Sequence, residues 1–329
     1  MNDTESHPPF YLGIDLGGTN VKSGVVDDQG NPLSSVSRKT HADRGADFGL
    51  QNLAEAGRDA VEASGLRWED IKAVGLGSPG TMDLEAGMLL EPPNLPGWDN
   101  LPIRDRLGEL LKKPTVLQND ANAAAYGEYW AGAARNTRSL VMFTLGTGIG
   151  CGIVSEGRII EGRHSHGGEC GHIIVQMENA RRCSCGAYGH LEAYASATAL
   201  VKRAQEALLD PPTASSLRNI PLAEITSQAV SEAAAAGDQL AQRLMHETAR
   251  YLAVGAVCLM HTIDPDIVLF GGGMIKAGQP FLDDIRAEIL NLAFPIPGKL
   301  TKIEYAELGE DAGFIGAAGC ARMAFGKTS

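Results

Sequence analysis

The strongest constraint in this chain is a repeated pattern: a buried strand, a glycine-rich turn and a second strand. LGIDLGGTN (12–20) lines up with VMFTLGTGI (141–149), and SGVVD (23–27) lines up with CGIVS (151–155) after a one-residue gap. Glycine lacks Cβ, so backbone N–H groups in such a turn can approach an anion closely. Two matched turns predict two similar halves, each presenting a phosphate-sized cradle after a strand. Neither turn is a P-loop, because no GxxxxGK[ST] occurs. LGTGIG is followed by a strand, not a helix, so it is not a dinucleotide fingerprint.

The rest of the chain fits an alternating α/β order. Apolar spacing of three to four predicts helices over 47–64, 103–111, 119–130, 196–209, 225–236, 238–263, 280–292 and 312–325. Strands are expected at 10–16, 21–26, 33–38, 71–76, 114–117, 139–145, 267–270 and 303–306, with one more at 172–175. The segment PPNLPGWDNLP (92–102) has four prolines and reads as a shaped loop. Forty glycines in 329 residues cluster at the ends of strands. The helix over 238–263 is apolar after Arg250, which predicts burial within its own domain.

Charge narrows the function classes. Twenty-eight Lys and Arg against forty Asp and Glu give a net charge of −12. That is the wrong sign for a nucleic-acid footprint. The longest apolar run, Leu252 to Met260, is far short of the ~20 residues of a membrane span. MNDTESHPP has neither the basic nor the apolar part of a signal peptide. The expectation is a cytoplasmic protein without nucleic-acid or membrane partners.

Three further groups carry chemistry. Asn119 and Asp120 stand where a buried strand meets a helix start. Asn119 suits the helix cap, and Asp120 is either a first-turn acid or a general base for an attacking hydroxyl. His172, Cys183, Cys185 and His190 have the types and spacing of a closed tetrahedral zinc site, with reduced thiols and loop histidines as the plain alternative. FGGGM (270–274) follows a strand and can approach a nucleotide.

Taken in order, DLGGTN (15–20), GSPG (77–80), PNLPGW (93–98), QNDANAAAYGE (118–128), LGTGIG (145–150), GGECGH (167–172), CSCGAYGHLE (183–192), FGGGM (270–274) and DAGFIGAA (311–318) resemble the ROK family of repressors and sugar kinases. The resemblance runs from about Tyr11 to Phe325. It implies an α/β actin-like ATPase fold of two domains. These are expected at 1–118, completed by 312–329, and at 119–311. The activity implied is ATP- and Mg²⁺-dependent phosphorylation of a hexose 6-hydroxyl, with glucose as the expected substrate. N-acetylhexosamine and fructose kinases are the alternatives within the family. A noncatalytic sugar sensor is the alternative outside the kinase class.

The resemblance also assigns residues. Asp15, Gly17, Gly18 and Thr19 face phosphates and Mg²⁺, Thr147 and Gly148 hold phosphates, and Gly272 and Gly273 lie by the adenosine. Gly80, Asn94, Asn119, Asp120, Glu169, His172 and Glu192 bind the sugar, with Asp120 as base. A structural Zn²⁺ takes His172, Cys183, Cys185 and His190. The family's zinc motif carries a third cysteine where this chain has His190. The family's repressors begin with a helix-turn-helix, and about ten residues precede the first strand here. A homodimer is the expected assembly.

Overall fold

A computed structural model describes residues 9–92, 95–210 and 214–326. In chain order the elements begin β1 (Phe10–Leu16), β2 (Asn20–Val26), β3 (Val36–Lys39), α1 (Ala46–Ser64), β4 (Ile71–Ser78), β5 (Thr81–Asp83) and β6 (Met88–Glu91). They continue α2 (Ile103–Leu111), β7 (Thr115–Asn119), α3 (Asp120–Trp130), β8 (Ser139–Leu145), β9 (Ile149–Ser155) and β10 (Arg158–Ile159). Then come α4 (Glu192–Ala195), α5 (Ala197–Leu209), α6 (Ser227–Ala235), α7 (Gln239–Ile263), β11 (Ile267–Gly271), α8 (Gln279–Leu292), α9 (Pro295–Leu300), β12 (Lys302–Tyr305) and α10 (Ala312–Phe325).

One five-stranded sheet runs β3-β2-β1-β4-β7 and the other β10-β9-β8-β11-β12. Position for position the two orders are the same. In the first, β1 and β2 are antiparallel, and β1, β4 and β7 are parallel. In the second, β8, β11 and β12 are parallel. The echo in sequence is therefore an echo in topology.

Contacts divide the chain into two compact units, one of residues 1–137, 152–168 and 307–329, the other of 138–151 and 169–306. The sequence-expected division at 118/119 lies inside the first unit, and α10 groups with that unit. Glycines explain why α3 and α10 belong there together. A Cβ on Gly127 of α3 would meet the Ala312 carbonyl at 2.6 Å, and one on Gly316 of α10 would collide with the Ala123 carbonyl. Gly13 and Gly75 likewise admit the Phe314 and Ala317 carbonyls against β1 and β4. Bare backbone on both sides lets the last helix lie directly on the sheet and on α3.

The first unit's core gathers Leu12, Ile14, Leu53, Val74, Leu76 and the fully buried Trp98. Trp98 fits because Gly49 has no side chain where the indole lies. In the second unit α7 buries a continuous apolar face from Leu240 to Met260, as its composition predicts.

One expectation changes, and some elements are new. Residues 172–175 form no strand: Cys170–His172 is a 3₁₀ turn, and only Ile174 bridges, to His190. The extended pairing is confined to that bridge, flanked by the Val175 N–H to the Gly189 carbonyl at 2.8 Å and the Leu191 N–H to the Ile173 carbonyl at 3.0 Å. The short hairpin β5–β6 and helix α9 went unread, since neither holds a long apolar period. No described helix is long and apolar enough to cross a membrane.

Candidate active site

In the first unit, register places three strand ends side by side. Asp15 of β1 pairs with Gly77 of β4, and Ser78 of β4 pairs with Asn119 of β7. The carboxyl ends of parallel strands are where open α/β sheets bind ligands. Asp15, Asn119 and Asp120 thus gather at one sheet edge, and Gly80 follows β4 there in a left-handed turn at φ 96°.

Asn119 caps α3, its Oδ1 accepting from the N–H groups of Ala121 at 3.0 Å and Asn122 at 3.1 Å. Asp120 Oδ1 accepts the Ala121 N–H at 2.8 Å. The cap and the candidate base are therefore one construction: the cap fixes the backbone that aims Asp120. Burial, with the nearby Asp120 carboxylate second, raises Asp15 from the ordinary 3.8 to about 7, against an opposing pull from Lys22. Two acids that resist joint ionisation at a strand end suit a divalent cation, which would relieve both penalties.

The turn after Asp15 is braced from below. Thr40 Oγ1 donates to the Gly17 carbonyl at 2.6 Å, and the Thr40 N–H donates to the Thr19 carbonyl at 2.9 Å. Gly18 and Thr19 are left exposed, free to face an anion.

In the second unit the matching turn, Gly146–Gly148, closes with a Gly146 N–H to Gly148 carbonyl bond of 3.0 Å. Gly272, at φ 85°, lies against Leu145, where a Cβ would stand 2.5 Å from the carbonyl oxygen. This close approach joins the third glycine cluster to the turn. A cavity of about 340 Å³ results, lined by Thr147, Gly273, Lys276, Gln228, Ser231 and Glu232 among others. Thr147 and Gly273 border it directly, whereas Gly148 and Gly272 do not line it.

Four sequence-predicted ligands also come together in this unit. The donor atoms of His172, Cys183, Cys185 and His190 all lie within 4.8 Å of one another. The two Nδ1 atoms are 3.2 Å apart, Cys183 Sγ is 3.7 Å from His172 Nδ1, and Cys185 Sγ is 3.3 Å from His190 Nδ1. The edges of a tetrahedral zinc site with Zn–N ~2.0–2.1 Å and Zn–S ~2.3 Å are about 3.3–3.8 Å. The donor set fits. Gly189, at φ 81°, folds the chain back so that His190 faces the cysteines. Burial and the His172 ring lower His190 from its ordinary value, which keeps the imidazole in its neutral, ligating form at pH 7.

Glu192 does something the sequence did not announce. Its Oε2 accepts the Ile149 N–H at 3.0 Å, just past the Gly146–Gly148 turn, while its Oε1 accepts the Ser184 hydroxyl at 2.6 Å. A Cβ on Gly148 would collide with the same carboxylate. Glu192 therefore ties the cysteine loop to the turn. Glu169 is exposed at the start of the 3₁₀ turn that carries His172. Asn94 lies outside the described residues.

Twin five-stranded sheets of one order, each ending in a glycine-rich turn, define an actin-like ATPase fold. The ROK family model matches residues 11–324, and the chain belongs to the ROK family. It is 35% identical over 309 residues to a glucokinase of Thermotoga maritima, covering 93% of this chain and 95% of the relative. A ROK hexokinase structure from Thermus thermophilus superposes with TM-score 0.83 at 34% identity, over 96% of this chain and 98% of that one. A Streptomyces griseus ROK glucokinase solved with glucose and AMPPNP gives TM-score 0.79 at 34% identity, over 95% and 99%.

Proposed function

We propose that this chain is an ATP-dependent hexokinase that transfers the γ-phosphoryl group to the 6-hydroxyl of glucose. The observation that carries the reading is Asp120, held by a capped helix start at the same sheet edge as Asp15. Support for glucose and ATP comes from relatives that are glucokinases, one of them solved with glucose and AMPPNP.

Asp120 accepts the proton of the 6-hydroxyl as that oxygen attacks the γ-phosphorus in line and ADP leaves. Asn119, Glu169, His172, Glu192, Asn94 and the Gly80 backbone orient the sugar, so that positioning rather than covalent chemistry carries the rate. Gly17, Gly18, Thr19, Thr147 and Gly148 hold the phosphates, with Gly272 and Gly273 beside the adenosine. Asp15 is the anchor for Mg²⁺, which when bound neutralises charge on the β- and γ-phosphates.

His172, Cys183, Cys185 and His190 hold a structural Zn²⁺, and His190 replaces the third cysteine of the family pattern. With Nδ1 turned to the cluster, His172 keeps Nε2 for the sugar. The reaction is assigned to the cytoplasm, where ATP is made, and the assembly to a homodimer. Sedimentation is expected at twice the 34.7 kDa chain mass. A single-chain mass at assay concentration contradicts the dimer.

Asp120→Asn tests the catalytic reading, since it keeps size and cap geometry but removes the base. Turnover is expected to fall at least about a hundredfold with glucose affinity retained, in line with general-base contributions of ~10²–10⁴. Turnover within a few-fold of wild type in the folded variant contradicts it.

A further inference from the structure

We propose that Glu161 is a positioning residue for the acceptor site, acting through Gln118 on Asn119 and Asp120. The inference rests on the reading of Asn119 and Asp120 as the acceptor-binding pair. Gln118, on β7 just before them, is 2% exposed. Its Nε2 donates to Glu161 Oε1 at 2.7 Å. Its Oε1 accepts the Asn119 backbone N–H at 2.8 Å and Asn122 Nδ2 at 3.4 Å.

A carboxylate accepts and does not donate, so Glu161 settles which way the buried amide faces. With Nε2 claimed by Glu161, Oε1 must turn to the Asn119 N–H. Without Glu161, the flipped amide would set an N–H against an N–H, and the unflipped amide would keep a buried donor unsatisfied. This network ends at the β7–α3 junction, which aims Asp120.

Glu161 also serves a second sugar-binding segment by its main chain. Its carbonyl accepts the Gly167 N–H at 2.7 Å, and Gly162 turns at φ 73°, which closes the loop over 161–167. That loop leads directly into Glu169. One residue thus holds both the strand end before Asp120 and the stem of the loop before Glu169. A merely structural tie would appear in the melting transition and not selectively in turnover.

The test is a set of full-length variants, E161A, E161Q, Q118M and E161A/Q118M, with D120N in parallel. kcat and KM for glucose and ATP are measured by ADP release at a temperature where circular dichroism shows each variant folded. E161A and Q118M are each expected to lower kcat about tenfold, about 1.4 kcal/mol in barrier, with KM for ATP within twofold. E161Q, whose amide oxygen can still accept, should stay within about twofold of wild type. The double variant should be no slower than either single, because both remove one interaction. Wild-type kcat in E161A and Q118M, an E161Q as slow as E161A, or multiplying effects in the double variant would each overturn the inference. If E161A does not fold, Q118M against E161Q decides it, equal turnover counting against. A D120N protein with wild-type turnover removes the acceptor-site reading itself. A dead D120N beside silent Glu161 variants removes only the role of Glu161.

Discussion

The hairpin β1–β2 and the hairpin β8–β9 occupy the same place in sheets of the same order, yet they are held differently. The first is braced from within its own sheet edge, by the buried Thr40 at the end of β3. The second is braced from outside, by Glu192, which arrives from the cysteine and histidine loop. The first carries a carboxylate, Asp15, where the aligned residue of the second is Thr144. A duplicated scaffold thus supplies two glycine-rich turns, with a division between their supports. Asp15, before the first turn, lies in register beside the strand ends that lead into Asp120. The other turn is coupled to the loop that presents His172.

That division gives predictions for each side. The largest effect is expected from Asp15→Asn, which removes the carboxylate unique to the first hairpin. Turnover should fall by about 10²–10³, the scale of losing one preorganised electrostatic group. Stability should move the other way. Asp15 rises from 3.8 to about 7 on folding, so the native state holds a proton that the unfolded chain has lost. Its penalty therefore grows as pH rises from about 4 to 7 and is constant above. Without Mg²⁺, Asp15→Asn should melt several degrees higher at pH 8, the full shift being worth up to about 4 kcal/mol, and gain less at pH 5. An equal or larger gain at pH 5 contradicts the buried-acid account.

The second hairpin should respond to metal. Elemental analysis is expected to give about one zinc per chain. His190→Ala should lose it and raise KM for glucose about tenfold, and His190→Cys should keep it. Full glucose affinity in a verified zinc-free protein would show that the cluster does not shape the site.

The two braces give the smallest effects and the sharpest contrast. Thr40→Val removes a buried hydroxyl bond and should cost about 1 kcal/mol of stability in urea unfolding. Ser184→Ala removes an exposed partner of Glu192 and should leave stability nearly unchanged while raising KM for glucose by less than about threefold. A reversed pattern, with Ser184→Ala destabilising and Thr40→Val acting on KM, would break the comparison.

What could be read from the chain alone follows from range of interaction. Helix α10 was legible to the residue, Ala312–Phe325, since a dense apolar run with an acidic start needs no partner to declare itself. The gathering of His172, Cys183, Cys185 and His190 was legible from residue type and spacing, because a cluster of ligating side chains is a local demand on chemistry. Glu192 as a tie to Ile149 was not, because its two partners sit 43 and 8 residues away in unlike segments. Glu161 was invisible for the same reason: it lies in an aperiodic loop, and its meaning depends on Gln118, 43 residues earlier. The expected division at 118/119 put α3 in the second domain. The packing of α3 instead follows Gly127 and Gly316, a contact between residues far apart in sequence.

The most direct test of the whole account is hexose-dependent ADP release by the purified chain with Mg²⁺ and ATP, over glucose, mannose, fructose, N-acetylglucosamine and N-acetylmannosamine. The account predicts one ADP per hexose consumed, the highest kcat/KM for glucose, and phosphate on the 6-oxygen of the product. ADP release no faster with any sugar than without one would contradict it, and a clear preference for an N-acetylhexosamine would contradict the assignment of glucose.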